Sequence, residues 1–138
     1  MRLVKIIKQY THKKINKELC GIPIELGEGY SKVKLKLISK MIVDKSGLIH
    51  GGFVFSLADY AAMLAINHPN TILGGANVRF LKPVLVDENL IAEAKFMEEE
   101  GKKQLVKVSV KRDGEIIFTG EFICFSPDHH ITEGDVKN

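Results

Sequence analysis

A single carboxylate interrupts the most apolar segment of the chain. Between residues 51 and 67 nearly every side chain is apolar, and Asp59 lies in the middle of the segment. A helix that is apolar on almost every side must be covered on almost every side, and a buried carboxylate without partners is costly. The segment therefore predicts a central helix enclosed by the rest of the fold, in which Asp59 has a specific structural or chemical role.

Alternating polar and apolar residues on both sides of this helix predict β-strands. The first strand begins at Tyr30 and ends near Val43, with a bulge expected at Leu37-Ile38. Glycine and proline residues from 21 to 29 are expected to break regular structure before it. The four strands predicted after the helix cover residues 72–81, 89–97, 104–112 and 116–125. Turns containing Gly101 and Gly114 predict hairpins between the last three strands.

The two ends of the chain are expected to add little to the core. Residues 2 to about 18 predict a short amphipathic helix, and the polar tail after residue 127 is expected to fray. No repeat or linker divides the sequence, so we expect one α+β domain over residues 1–138. A single curved sheet covers only part of an apolar helix, and loops or a second copy of the chain would cover the remainder.

Composition argues against several classes of protein. No apolar run reaches the length of a membrane span and the N-terminus lacks a signal-peptide pattern, so we expect a cytoplasmic protein without membrane contact. Cys20 and Cys124 are too few for a disulfide framework, and the Cys/His spacing of a metal site is absent. A net charge of +3 is too mild to indicate nucleic-acid binding.

Three motifs together resemble the hotdog-fold thioesterases. They are Gly47-Leu48-Ile49-His50-Gly51-Gly52, the helix that carries Asp59, and Phe80-Leu81-Lys82-Pro83 followed by Asp87. The likeness covers about residues 28–125 and is similar to the phenylacetate-degradation and 4-hydroxybenzoyl-CoA thioesterase branches. It implies an antiparallel sheet wrapped around one long helix, a homodimer or homotetramer, and hydrolysis of acyl-CoA or acyl-carrier-protein thioesters. It implies no metal or cofactor, because coenzyme A belongs to the substrate.

The resemblance also implies roles for individual residues. Asp59 occupies the position of the family's catalytic carboxylate, and Gly51 that of the residue whose N–H polarises the thioester carbonyl; His50 and Gly52 complete the turn. Met63 stands where some relatives have a hydroxyl residue. Candidate substrate-binding residues are Asp44, which stands where many relatives have Asn, and Ser56, Asn77, Arg79 and Lys82.

The spacing of the two central residues adds a constraint. Gly51 at the first turn of a helix offers a free N–H and the positive end of the helix dipole. Asp59 lies eight residues later, about 12 Å along the helix. One thioester cannot easily touch both, so we expect a site in which Gly51 of one subunit faces Asp59 of the other.

Several alternatives remain open at the level of sequence. Asp59 could act as a general base, attack the carbonyl directly, or serve as a structural acid at a dimer interface. His50 could simply orient the turn, and Ser56 could support the acid. The main functional rival is a non-catalytic acyl-CoA or acyl-carrier-protein binding module, such as a lipid sensor. A hydratase is disfavoured, since its motif with a catalytic histidine is not found.

Overall fold

Six antiparallel strands wrap around one long helix in the computed structural model, which describes residues 5–133. The helices are α1 (Lys17–Cys20) and α2 (Gly51–Ile66), and a 3₁₀ turn covers Ser39–Met41. The strands are β1 (Ile22–Gly27), β2 (Tyr30–Lys36), β3 (Ile72–Phe80), β4 (Asn89–Glu100), β5 (Lys103–Arg112) and β6 (Glu115–Phe125). Their order in the sheet is β1-β2-β4-β5-β6-β3, so β1 and β3 form its edges.

The core lies between α2 and the inner face of the sheet. Alternate residues on each central strand point inward, as the sequence pattern predicted; on β5 these are Val106, Val108 and Val110. Most of α2 from Val54 to Ala65 is buried. Ser31 on β2 is fully buried, but its hydroxyl donates to the Ala61 carbonyl at 2.6 Å. This is the hotdog arrangement, and the predicted fold class is confirmed.

The helix and the last four strands lie close to their predicted positions. Asn67 ends α2 in the left-handed conformation. The hairpins form where they were expected: Gly101 joins β4 to β5, and Asp113-Gly114 joins β5 to β6, all three residues with positive φ. Paired positive φ values at Asp113 and Gly114 are typical of the turns that match the twist of a β-hairpin.

The predicted leading helix is wrong within the described residues. Residues 5–16 form no helix, and α1 covers only Lys17–Cys20; residues 1–4 lie outside the described part of the chain. Residues 5–16, which we call the N-terminal strap, instead run along α2. The strap is held near its start by Ile7, which donates to the Leu26 carbonyl at 2.9 Å. Such backbone pairing to an edge strand competes with the helical hydrogen bonds that the apolar spacing indicated.

The first part of the sheet also differs from the prediction. β1 was missed because Pro23 and the flanking glycines were interpreted as breaks. Proline is tolerated in an edge strand, and the register of β1 against β2 shifts just after Pro23. β2 ends at Lys36 rather than near Val43, and the 3₁₀ turn follows in place of the expected bulge.

The strap covers the side of α2 that faces away from the sheet. The Asn67 side chain accepts from the Tyr10 N–H and donates to the Lys8 carbonyl, both at 2.8 Å. The Gln9 amide donates to the Tyr60 hydroxyl at 3.3 Å. The strap therefore supplies, within one protomer, part of the cover that an apolar helix requires.

The remaining described features lie outside the core. Residues 128–133 form exposed turns, and residues 134–138 lie outside the described part of the chain, so the predicted fraying of the tail stays untested. Within residues 5–133, no helix combines the length and the apolar character needed to cross a membrane.

Candidate active site

The N-cap residue of α2 does not use its side chain to cap the helix. His50 occupies the N-cap position, but its imidazole makes no capping hydrogen bond. The ring lies edge-on to Phe53, with centroids 5.9 Å apart, and it folds over Gly52. A Cβ on Gly52 would lie 2.8 Å from His50 Nε2, so a side chain at this position would require the imidazole to move. The amides of this turn therefore have no side-chain cap from His50.

Gly51 lies beneath the ring of Phe80. A Cβ at Gly51 would meet Phe80 Cε2 at 3.5 Å, an ordinary contact distance. Phe80 ends β3 and is 54% exposed, and its ring makes an edge contact with the ring of Phe118, with centroids 5.1 Å apart. The sequence motif Phe-x-x-Pro marked this position without assigning a role, and the structure shows Phe80 at the entrance to the helix turn.

Asp59 is a half-buried acid, one of whose carboxylate oxygens is buried without a hydrogen-bond partner. Its Oδ1 is buried and, among residues 5–133, accepts no hydrogen bond. Burial raises the pKa of Asp59 to about 6, because desolvation disfavours the charged carboxylate. At neutral pH the group is mostly ionised and yet more basic than an exposed aspartate. Those are the properties required of a general base that works near neutral pH.

Cys124 lies close enough to Asp59 for the two side chains to interact electrostatically, and it had no predicted role. It is fully buried on β6. Burial is the larger cause and the negative charge of Asp59 the smaller one; together they raise the pKa of the Cys124 thiol to about 12. The thiol is therefore protonated throughout the physiological range. No motif in the sequence could have placed this residue, since strand register alone brings it to the acid.

The two central residues do not meet within one protomer. α2 is unbroken from Gly51 to Ile66, so Gly51 and Asp59 are separated by about 12 Å of helix. The geometric premise behind a shared site is therefore present in the structure. The sharing itself stays a prediction.

Asp44 and Ser56 have local partners. Asp44 Oδ1 accepts hydrogen bonds from the Ser46 N–H at 2.8 Å and from the Ser46 hydroxyl at 2.5 Å. These hydrogen bonds lower the pKa of Asp44 and close an exposed turn. Ser56 Oγ lies 3.1 Å from Cys20 Sγ, on the side of α2 that faces α1. Within the described residues, Ser56 therefore contacts a thiol. A thiol is not a base that would activate the serine hydroxyl as a nucleophile.

Asn77 and Arg79 lie on β3, and Lys82 lies just after its end. Asn77 and Arg79 pair across strands with Glu121 and Thr119, whereas the intervening Val78 packs against the core. Because side chains alternate between faces, Asn77 and Arg79 lie on the outer face of the sheet. Lys82 forms an exposed ion pair with Glu115. Their roles in substrate binding stay predictions.

Exposed apolar side chains surround the start of α2 and the neighbouring sheet edge. They are Val43, Phe80, Leu81 and Leu85, which we call the entrance patch. Edge strand β3 adjoins the patch and has a sheet partner on one side only. An unpaired strand edge beside exposed apolar residues is typical of a surface that a partner covers.

The described residues hold no cluster of three or more histidine, cysteine or acidic side chains that could bind a metal ion. A helix N-terminus and a carboxylate with a raised pKa are the groups that the described site contains. A family model described as the thioesterase superfamily matches residues 46–118, which include the helix turn and Asp59. The chain belongs to the thioesterase superfamily.

Several solved structures share this fold. An uncharacterized protein from Pyrococcus horikoshii is 49% identical, with a TM-score of 0.89 over 91% of this chain and 97% of that one. A sigma28-regulated virulence protein from Campylobacter jejuni is 32% identical, with a TM-score of 0.86 over 89% and 95%. A hypothetical thioesterase from Streptococcus pneumoniae, solved with coenzyme A, shares the fold at 17% identity, with a TM-score of 0.70 over 79% and 87%.

Curated relatives of this thioesterase-superfamily chain have diverse names. A methylthioribose-1-phosphate isomerase from Aquifex aeolicus is 52% identical over 81% of this chain but only 25% of that protein. A transcription factor FapR from Caldanaerobacter subterraneus is 29% identical over 77% and 54%. A putative esterase from Archaeoglobus fulgidus is 35% identical over 68% and 63%. The chain thus spans a quarter to somewhat under two thirds of these relatives, so their names describe longer proteins.

Proposed function

We propose that this protein is an acyl-CoA thioesterase in which Asp59 activates the attacking water. The observation that carries the proposal is the buried, unpartnered Oδ1 of Asp59 in a chain of the thioesterase superfamily. A buried carboxylate with an unused oxygen has the free acceptor that a reacting water requires. The similarity to a thioesterase solved with coenzyme A supports acyl-CoA as the substrate class.

The proposed reaction uses the helix turn and the acid together. The thioester carbonyl accepts a hydrogen bond from the Gly51 N–H, which stabilises the oxyanion by roughly 2.7–4 kcal/mol in comparable enzymes. Asp59 takes a proton from water as the oxygen attacks the carbonyl carbon. The C–S bond then breaks, and the proton passes to the departing thiolate to give a free acid and coenzyme A. Direct attack by Asp59 is the alternative, which incorporation of solvent ¹⁸O into Asp59 during a single turnover would reveal.

The proposal includes a second copy of the chain. Asp59 lies beside Cys124, whose cross-strand neighbour on the edge strand β3 is Leu73. A copy docked along β3 and the entrance patch would bring its own Gly51 to the Asp59 side of the first protomer. Such a twofold arrangement creates two equivalent sites.

Subunit mixing tests the shared site. Asp59→Asn and Gly51→Pro subunits are each expected to be inactive as homodimers, since proline removes the Gly51 N–H at a helix position that tolerates it. After mixing and exchange, a heterodimer contains one intact site, so up to about a quarter of wild-type activity per total dimer is expected at equal amounts. Mixing that restores no activity, despite verified exchange, would contradict a site built from two subunits.

Thiol release from acyl-CoA esters tests the activity itself. The wild-type protein is expected to hydrolyse at least one member of a panel of short, long and aromatic acyl-CoAs. Asp59→Asn is expected to lose about 10²–10⁴-fold in kcat/KM, the usual contribution of a general base. Equal rates for the two proteins would remove Asp59 from the mechanism.

A second candidate function is a non-catalytic acyl-CoA or acyl-carrier-protein binding module. The similarity to the FapR transcription factor favours it, because that relative is named as a regulator rather than as a hydrolase. Isothermal titration with acyl-CoA separates the two functions. Tight binding without thiol release would support the binding module, whereas turnover at any panel member supports the enzyme.

A further inference from the structure

The neighbourhood of Asp59 is set by two adjacent layers, α2 and β6. The ring of Phe55 on α2 contacts the ring of Phe122 on β6, with centroids 5.6 Å apart. At the start of the helix, Gly51 lies against Phe80, which pairs with Phe118 nearer the beginning of β6. Successive contacts therefore advance along both elements in the same direction.

The same register brings Cys124 to Asp59. One helical turn takes Phe55 to Asp59, an advance of about 6 Å, and two strand residues take Phe122 to Cys124, an advance of about 7 Å on the same face. The electrostatic effect of Asp59 on the Cys124 thiol agrees with this placement. Cys124 is fully buried, and its strand neighbours are Leu73 and Gln104.

The chemical character of the thiol matters because the Asp59 oxygen has no hydrogen bond. A serine hydroxyl is a strong donor to a carboxylate, whereas a thiol is a weak one. Burial is the cause of the elevated pKa of Asp59, and no charged side chain within residues 5–133 contributes to it. The acid is thus basic only as long as its surroundings stay dry and poor in donors.

We propose that Cys124 is a positioning residue for Asp59. Its thiol fills the space on the β6 side of the carboxylate and keeps stronger hydrogen-bond donors from that side, which leaves the carboxylate free to bind the reacting water. The proposal rests on the proposed function, in which Asp59 is the base. It assigns the thiol no nucleophilic or redox role, and Cys124 acts on the substrate only through the acid. The prediction is that the chemical nature of this one side chain sets the acidity of Asp59.

The test compares Cys124→Ser with the apolar replacement Cys124→Val and with Cys20→Ser as a matched control. The ¹³C NMR titration of the Asp59 carboxyl carbon is measured in the free proteins, so that it does not depend on turnover. In Cys124→Ser the midpoint is expected to fall by about one unit, a tenfold change in acidity, because a hydroxyl stabilises the carboxylate. In Cys124→Val and Cys20→Ser the midpoint is expected to stay close to the wild-type value.

Two further outcomes complete the test. If Cys124→Ser does not fold, Cys124→Ala takes its place, with a downward shift expected as water enters the vacated space. A midpoint that stays unchanged in the folded serine or alanine variant would overturn the proposal, even if wild-type hydrolysis is normal. A shifted midpoint in a protein that hydrolyses no acyl-CoA would instead sustain the effect on Asp59 and contradict the proposed function.

Discussion

The two sides of α2 differ in whether their polar side chains have hydrogen-bond partners. On the side facing the strap and α1, Ser56 contacts Cys20, the Tyr60 hydroxyl accepts from Gln9, and the Asn67 amide bridges two backbone groups of the strap. On the side facing β6, the Oδ1 of Asp59 has no partner in the described structure. Two neighbouring residues, Asp59 and Tyr60, thus lie in opposite environments.

This difference distinguishes polar side chains that stabilise the fold from a polar side chain that is available for chemistry. Buried polar groups are normally paired, because an unpaired one costs about 1–3 kcal/mol. The chain supplies hydrogen-bond partners to the polar side chains on the strap side of α2, so the fold is able to pair polar groups on this helix. Under the proposed function, the free oxygen of Asp59 accepts a hydrogen bond from the reacting water.

The largest effects are expected from matched substitutions at these neighbouring residues. Asp59→Asn is expected to lower kcat/KM about 10²–10⁴-fold, whereas Tyr60→Phe is expected to change it less than about threefold. Tyr60→Phe removes one hydrogen bond and is expected to cost about 0.5–1.5 kcal/mol of unfolding free energy. Urea denaturation and thiol-release kinetics measure both quantities. A large loss of activity in Tyr60→Phe at unchanged stability would contradict a purely structural role for Tyr60.

The pH dependence of stability sharpens the contrast. The folded pKa of Asp59, about 6, lies above its ordinary value of 3.8, so between these values the folded state binds more protons than the unfolded state. This group therefore makes the protein less stable as pH rises from about 4 to 6. Asp59→Asn removes the penalty and is expected to be more stable than wild type by about 1–3 kcal/mol at pH 8.

The control for that prediction is the same comparison under acidic conditions. At pH 4 the wild-type carboxyl is largely protonated in the folded protein, and most of the stability difference from Asp59→Asn is expected to vanish. Urea unfolding curves at the two pH values provide the measurement. A constant difference at both pH values would mean that the effect of the substitution does not come from the charge.

A smaller effect is expected on the strap side. Asn67→Ala removes both hydrogen bonds to the strap and places alanine at a φ of 54°, with an expected cost of about 1–2 kcal/mol. Asn67→Gly removes the same hydrogen bonds but tolerates the backbone conformation, so it should cost less. Thermal unfolding measures both. Equal stability of both variants and wild type would show that the strap does not hold α2.

The sequence predicted secondary structure best where the local residue pattern agrees with the packing of the folded protein. The apolar segment around Asp59 and the alternation in β5 were enough to predict the central helix and the hairpins, since each follows from a simple periodicity. β1 and the strap were not predictable in this way. Pro23 is tolerated only because its strand lies at an edge, and the strap is extended because Asn67 and Leu26, distant in sequence, bind its backbone.

The candidate site shows the same division. The helix turn and Asp59 were recognisable from a motif, and their separation along the helix followed from its length. The proximity of Asp59 to Cys124 depends on how β6 packs against α2, and the exposure of Phe80 depends on where β3 ends. Such neighbours are set by tertiary register, which no local pattern contains.

The most direct test of Asp59 as a base is the pH dependence of kcat/KM for thioester hydrolysis by the wild-type protein. Burial raises the pKa of Asp59 to about 6, and a base works only when deprotonated. The account predicts that kcat/KM rises with pH through a midpoint near 6 and levels off above it. A profile that is flat from pH 5 to 8, or one with its midpoint near 4, would contradict it.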